Sequence, residues 1–154
     1  MVTLVFHQIL ALGIYKWLSW ELKKPFKPLK HWQWLALNLF FAIAGNVLAQ
    51  VSPSGQGIGN IYLHAIGGGM ATAATYEYLK RSLNVKLNWR VDFVFLFMFV
   101  STFGVMNELY EYAADVAGLG QFSIDRFDTW KDFVANTSGA VIVWALVKLS
   151  RIKK

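Results

Sequence analysis

Five apolar stretches, each about as long as the hydrocarbon core of a bilayer is thick, run along this chain of 154 residues. A helix rises about 1.5 Å per residue, so about 20 residues are needed to cross that core. The stretches lie at residues 1–20, 32–51, 58–79, 92–112 and 128–149. They leave no room for a separate water-soluble domain. The sequence therefore predicts one all-α domain over residues 1–154, a polytopic transmembrane helical bundle of about five spans.

The composition agrees with this fold class. Charged residues make up only 16% of the chain, against about 25% in a soluble domain whose surface must face water. Cysteine is absent, which excludes a disulfide scaffold and thiolate metal ligands. The first stretch is the least apolar, because it contains His7, Gln8 and Lys16. It is interpreted as a span rather than a signal peptide, with a helix lying on the membrane surface as the alternative.

The basic residues are concentrated on one side of the predicted bundle. Thirteen of the 15 fall there. They are Lys16, Lys23, Lys24, Lys27, Lys30, Lys80, Arg81, Lys86, Arg90, Lys148, Arg151, Lys153 and Lys154. The positive-inside rule assigns this side to the cytoplasm, so we expect a multi-pass inner-membrane protein with its N-terminus outside and its C-terminus inside. Contact with anionic membrane lipid then explains the net charge of +6, and nucleic-acid binding is not expected.

The acidic residues gather on the opposite side, between positions 108 and 132. Six of the nine acids lie there, namely Glu108, Glu111, Asp115, Asp125, Asp128 and Asp132. Glu108 and Glu111 are about one helical turn apart near the end of the fourth span, and Asp128 and Asp132 are spaced likewise in the first turns of the fifth. On the basic side, by contrast, Glu77 is predicted to form an ion pair with the adjacent Lys80 and Arg81.

A histidine in the third span lies at the same predicted depth as these acids. His64 shares a helical face with Asn60, Gly67 and Gly68, and the small residues of that face let another helix approach closely. Isolated charges are costly in hydrocarbon and therefore face a bundle interior or a wet cavity. We expect the polar side chains to converge on one site that opens to the extracytoplasmic face.

Clustered carboxylates cannot all stay ionised without compensation. Hard oxygen ligands suit Mg²⁺, Mn²⁺ or Ca²⁺, and the predicted metal ligands are Glu108, Glu111, Asp128 and Asp132. The predicted catalytic acids and bases are these four residues and His64. The predicted substrate-binding residues are Arg126, Lys131 and Asn136. Alternatively, Arg126 and Lys131 only neutralise the acids and fix helix packing.

The run NELYEYAADVAGLGQFSIDRFDTWKDFVANTSGA, which begins at Asn107, resembles the signature of the VanZ-like and YjdF-like small integral membrane proteins. That signature pairs an acidic element at the end of one span with Asp-x-x-x-Asp-x-x-x-Asn-x-x-Gly at the start of the next. The matching residues are Glu108, Glu111, Asp128, Asp132, Asn136 and Gly139. Glu111 stands where Gln is expected in the VanZ-like branch, which favours the YjdF-like branch. VanZ-like members are associated with low-level glycopeptide resistance, whereas the YjdF-like branch is largely uncharacterised, so the resemblance implies a small integral membrane protein and no particular activity.

Three functions are compatible with these residues. The preferred one is an enzyme, a hydrolase or transferase acting on a membrane lipid or a lipid-linked envelope substrate, with a divalent metal as a possible cofactor. The second is a cation- or proton-coupled binding or transport protein, which a homo-oligomer would make easier to build from five spans. The third is a structural membrane protein whose polar cluster only fixes helix packing.

Overall fold

The computed structural model describes residues 2–52, 57–119 and 126–152, with side chains described for residues 8–52, 57–119, 127 and 129–150. Every regular element in these ranges is helical. The elements are α1 (Val2–Glu21), α2 (Trp32–Val51), α3 (Ile58–Tyr62), a π-helical segment (Leu63–Met70), α4 (Ala71–Ser82), α5 (Trp89–Val116) and α6 (Arg126–Ile152). Because α3, the π-helical segment and α4 follow one another directly, each predicted apolar stretch corresponds to one helical unit.

Three helices are long and apolar enough to cross a membrane, by length and composition: α2, α5 and residues 129–150 of α6. Most of their side chains face outward, and large apolar groups such as Phe40, Phe95 and Leu146 are 61%, 53% and 61% exposed. An apolar outer surface over helices that satisfy their own backbone hydrogen bonds suits a bilayer. The predicted all-helical fold is thus confirmed for the described residues, with three candidate membrane spans. The five-span count and the orientation of the N-terminus stay predictions.

The helical unit at residues 58–82 forms the centre of the molecule. Its π-helical segment packs mainly against α6 and α2. At Gly45 of α2 an added Cβ would lie 2.4 Å from the backbone nitrogen of Gly67, and at Gly139 of α6 it would lie 1.9 Å from the carbonyl oxygen of Ala65. Both neighbouring helices therefore cross the π-helical segment backbone against backbone. The close approach predicted for this glycine-rich face is confirmed.

Two buried tyrosines fix the connection between α1 and α2. Tyr15 donates to the carbonyl oxygen of Pro25 at 3.3 Å, and Tyr78 of α4 donates to that of Pro28 at 3.0 Å.

Near this connection, Asn88 is the N-cap residue of α5: its side-chain oxygen accepts from the Val91 backbone N–H at 3.0 Å. We call this region, formed by residues 22–31, the end of α4 and the first turn of α5, the basic end.

Candidate functional site

A buried histidine–aspartate pair joins the π-helical segment to α6. Nε2 of His64 lies 3.2 Å from Oδ2 of Asp132, and the two residues are 9% and 5% exposed. Asn60 of α3 donates from its amide nitrogen to the other carboxylate oxygen of Asp132 at 2.8 Å. The polar side chains predicted to converge from separate helices do so here, because His64 and Asn60 both contact Asp132. A π-helical turn at this position is notable because such turns occur frequently at functional sites.

The two glutamates of α5 have different neighbours. Thr129 of α6 donates its hydroxyl to Oε2 of Glu108 at 2.8 Å. Asn107 donates its amide to Oε1 of Glu111 at 2.7 Å, one turn along the same helix. Glu108 therefore links α5 to the first turn of α6, while Glu111 lines a cavity that it shares with His64.

This polar cavity, of about 230 Å³, lies between α2, the π-helical segment, α5 and α6. Its polar lining residues are Asn46, His64, Thr72, Asn107, Glu111 and Asn136. Its apolar side is formed by residues such as Leu63, Val100 and Phe103. None of the described lining residues is a lysine or an arginine. The cavity can therefore hold a neutral or cationic polar group next to an apolar one.

Asn136 lines this cavity and carries a buried acceptor without a described donor. The residue is only 8% exposed, and its side-chain oxygen has no hydrogen-bond donor among the described residues. That oxygen lies over Gly68, where an added Cβ would come within 2.0 Å of it. A buried polar atom without a partner is costly.

The remaining predicted site residues are placed differently or are not described. Lys131 is exposed and is not among the residues that line the polar cavity. The side chains of Arg126 and Asp128 lie outside the described residues, although the backbone of both belongs to the first turn of α6. Their predicted roles stay predictions.

The predicted metal ligands do not form a common coordination site among the described side chains. No group of three or more His, Asp or Glu that could hold a metal ion occurs among them. Glu108 accepts from a hydroxyl, Glu111 from an amide, and Asp132 from Asn60 beside His64. We therefore derive no chemistry through a metal.

A second buried polar cluster, at the basic end, was not recognised from the sequence. Asp92, 1% exposed in the first turn of α5, accepts from the Lys80 ammonium at 2.7 Å and from the Lys148 ammonium at 2.6 Å. The Tyr76 hydroxyl and the Trp144 indole N–H donate to the same carboxylate at 2.8 and 3.2 Å. The only sequence signal is an acid in the first turn of a helix, where the dipole favours it.

The same cluster includes the ion pair predicted within α4. Glu77 is 2% exposed and pairs with Lys80 and with Nε of Arg81, the latter at 3.0 Å. This prediction is confirmed. Lys80 thus connects Glu77 to Asp92, and the cluster ties together α4, α5 and α6.

Outward-facing apolar helices around buried, paired charges define an integral membrane protein of all-helical fold. The chain belongs to the family described as "Predicted membrane protein (DUF2238)", whose model matches residues 3–153. No curated protein and no solved structure matches the chain. Membership supports the membrane-protein part of the resemblance and assigns no activity.

Proposed function

We propose that this protein is a membrane-embedded enzyme in which His64 transfers a proton to or from a polar group of a lipid or lipid-linked envelope substrate held in the polar cavity. The observation that carries the proposal is the His64–Asp132 contact of 3.2 Å at the wall of this cavity. A positioned histidine beside a carboxylate is a common arrangement for general acid–base catalysis.

Asp132 acts in this proposal as a positioning residue. With a proton on Nε2 directed at the carboxylate, the neutral ring of His64 carries its basic lone pair on Nδ1. The same carboxylate stabilises the ring when it gains a second proton. Asn60, donating at 2.8 Å, keeps the carboxylate in place.

The cavity lining favours a substrate whose reacting part bears hydroxyl, amine or amide groups. Asn46, Asn107, Thr72 and Asn136 offer neutral donors and acceptors, and Glu111 offers a carboxylate. Leu63 and Phe103 provide an apolar wall for the adjoining hydrocarbon. Ligand sites commonly combine an apolar lining with a few convergent polar groups in this way.

Several more specific expectations accompany the proposal, but the proton-transfer role does not depend on them. We propose that the cavity faces the extracytoplasmic side of the inner membrane, as the distribution of lysine and arginine suggests. A kinship with the YjdF-like or VanZ-like proteins, a divalent cation at the predicted acidic ligands and a homo-oligomeric state remain proposals of the same kind. The proton-transfer role requires only His64, Asp132 and the cavity.

The test is conversion of native lipids by the full-length protein. Purified protein is reconstituted with a total lipid extract from cells that lack its gene, and substrates and products are followed by mass spectrometry. Wild type should deplete at least one component. His64→Gln and the isosteric Asp132→Asn should lower kcat by about 10²- to 10⁴-fold. Glu21→Gln, at the exposed end of α1, is the control that should retain full activity.

The outcome that contradicts catalysis is equal turnover by wild type and by both variants, or no depleted component at all. A proton-coupled transporter is the second candidate, because His64 and Glu111 are two titratable groups in one cavity. If the protein is such a transporter, adding a solute to proteoliposomes should change their internal pH, and the solute itself should remain chemically unchanged. A thermal melt of each variant in detergent shows whether the fold is retained.

A further inference from the structure

A second cavity lies at the basic end and is separate from the polar cavity. It has a volume of about 460 Å³. Its charged and titratable lining residues are Lys30, His31, Lys80, Arg81, Lys86 and Asp92. They come from the connection between α1 and α2, the end of α4, the residues after it and the start of α5. This basic pocket plays no part in the proposed proton transfer.

The charges around the basic pocket are unbalanced. The pocket's lining carboxylate, on Asp92, and the adjoining buried carboxylate of Glu77 are already matched by three cations in the buried cluster. Lys30 and Lys86 add two more positive charges at the rim and form no ion pair within the described residues. An excess of three positive charges therefore surrounds the pocket, before His31 is counted. An anion with more than one charge would offset it.

The pocket also offers the hydrogen-bond donors that a phosphate group needs. An ammonium group has three N–H donors, and the rim lysines are both exposed. A phosphate group presents several strong acceptor oxygens and, as a monoester, close to two negative charges at neutral pH. The guanidinium of Arg81, stacked 4.8 Å over the ring of Trp34, is held in a fixed orientation beside the pocket.

Aromatic residues place the pocket where lipid headgroups occur. Trp32, at the first turn of α2, follows His31 and is 61% exposed. Trp89, at the first turn of α5, lies two residues after Leu87 and is 60% exposed. Exposed tryptophans at the ends of apolar helices mark the membrane–water interface. Basic pockets between helices at this depth are suited to anionic headgroups.

We infer that the basic pocket is a binding site for a phosphate group, with Lys30 and Lys86 as the ligands that the buried ion-pair cluster leaves available. The phosphate can come from the headgroup of an anionic lipid or from free phosphate. The position of Trp32 and Trp89 favours the lipid.

The test measures binding by titration calorimetry of the full-length protein in a nonionic detergent. The probes are dihexanoyl phosphatidic acid, inorganic phosphate and dihexanoyl phosphatidylcholine. The variant is Lys30→Gln/Lys86→Gln. The matched control is Lys23→Gln/Lys27→Gln, which removes the same charge from the connection between α1 and α2 but not from the pocket lining. None of these four lysine side chains forms an ion pair within the described residues, so both variants should fold.

Wild type should bind phosphatidic acid saturably. The Lys30→Gln/Lys86→Gln variant should bind it about 25-fold more weakly, at about fivefold per lysine, and the control should change by less than about twofold. If phosphatidic acid binds far more tightly than inorganic phosphate, the ligand is a lipid headgroup. If the two affinities are equal, the ligand is free phosphate. Absence of saturable binding of both, tight binding of phosphatidylcholine, or equal weakening by both variants would overturn the inference.

Discussion

The two buried polar regions of this protein differ in what they are built to do. At the basic end, Asp92 accepts from two ammonium groups, a phenol and an indole. Beside the polar cavity, Asp132 contacts a histidine and accepts from an amide, and Asn136 carries a buried acceptor without a described donor. A cluster in which charges are matched by charges holds helices together. A cavity that combines an apolar wall with neutral polar groups, a histidine and a carboxylate is suited to binding a ligand.

The largest expected effect comes from breaking the ion-pair cluster. Asp92→Asn leaves the buried ammonium of Lys80 with one carboxylate, and it leaves the partly exposed ammonium of Lys148 with none among the described residues. Removing one partner of a buried pair costs about 3–5 kcal/mol. The free energy of unfolding in a denaturing-detergent titration should fall by about this amount. Glu21→Gln, at an exposed acid, should change it little, and a similar loss in both variants would contradict a stabilising role for the Asp92 cluster.

Backbone contact at the helix crossing provides the next prediction. Gly139→Ala would place a methyl group 1.9 Å from the carbonyl oxygen of Ala65, so α6 must move away from the π-helical segment. We expect a loss of about 1–3 kcal/mol in unfolding free energy. Gly13→Ala is the matched control, because nothing lies within 4 Å of its added Cβ. Since Gly13 is an exposed helical position, this substitution should raise the free energy of unfolding by about 0.5–1 kcal/mol. Equal effects of the two substitutions would contradict the close crossing.

A comparison of two buried asparagines tests whether the polar cavity serves stability or binding. Asn136 lines the cavity and Asn38 does not. Asn38, 2% exposed, donates to the carbonyl oxygen of Ala71 and to Thr75 at 2.8 and 2.9 Å. Asn38→Ala should therefore cost about 1–3 kcal/mol. Asn136→Ala should cost less, because its oxygen has no described partner, and should raise KM for the lipid substrate. Thermal melts and the conversion assay measure both, and a larger stability loss at Asn136 would favour a structural role.

The smallest effect concerns pH at the basic end. Burial, with the charges of Lys30 and Arg81, holds the pKa of His31 below its ordinary value of 6.5. The folded state therefore resists protonation, so stability is fully present above pH 6.5 and declines slightly as pH falls through the lowered pKa. Melting temperatures between pH 7.5 and 5 should show a small decrease that His31→Gln abolishes. Added phosphatidic acid should reduce the decrease, since an anion favours the protonated ring.

The sequence predicts the helical units well and the sites only in part. Long apolar stretches identify the units because the required length is set by the bilayer. His64 and Asp132 could be expected to meet because each lies on a polar face of its own helix. Lys131, the neighbour of Asp132, is exposed while Asp132 is buried, since adjacent helical residues point about 100° apart.

The network around Asp92 was not predictable for a different reason. Its partners lie 12 and 56 positions away, on α4 and α6, and no helical periodicity relates residues on different elements. The hydrogen-bond partners of the two glutamates on α5 are unpredictable for a similar reason. Glu108 and Glu111 accept from Thr129 and Asn107, two neutral neighbours that charge patterns do not single out.

The π-helical segment at Leu63–Met70 makes the geometry of the site depend on chain length as well as on side chains. A π-helical turn accommodates about one residue more than an α-helical turn. Deleting a single residue such as Ala65 would let the segment close into an ordinary α-helix with little rotation of the parts on either side, because the residue removed is the extra one that the wide turn accommodates. Inserting one residue at the start of α4 would instead rotate everything on its N-terminal side by about 100° about the axis. His64 and Asn60 would then leave Asp132 together, although no functional group had been removed. A one-codon insertion here should therefore be more damaging than a one-codon deletion in the π-helical segment.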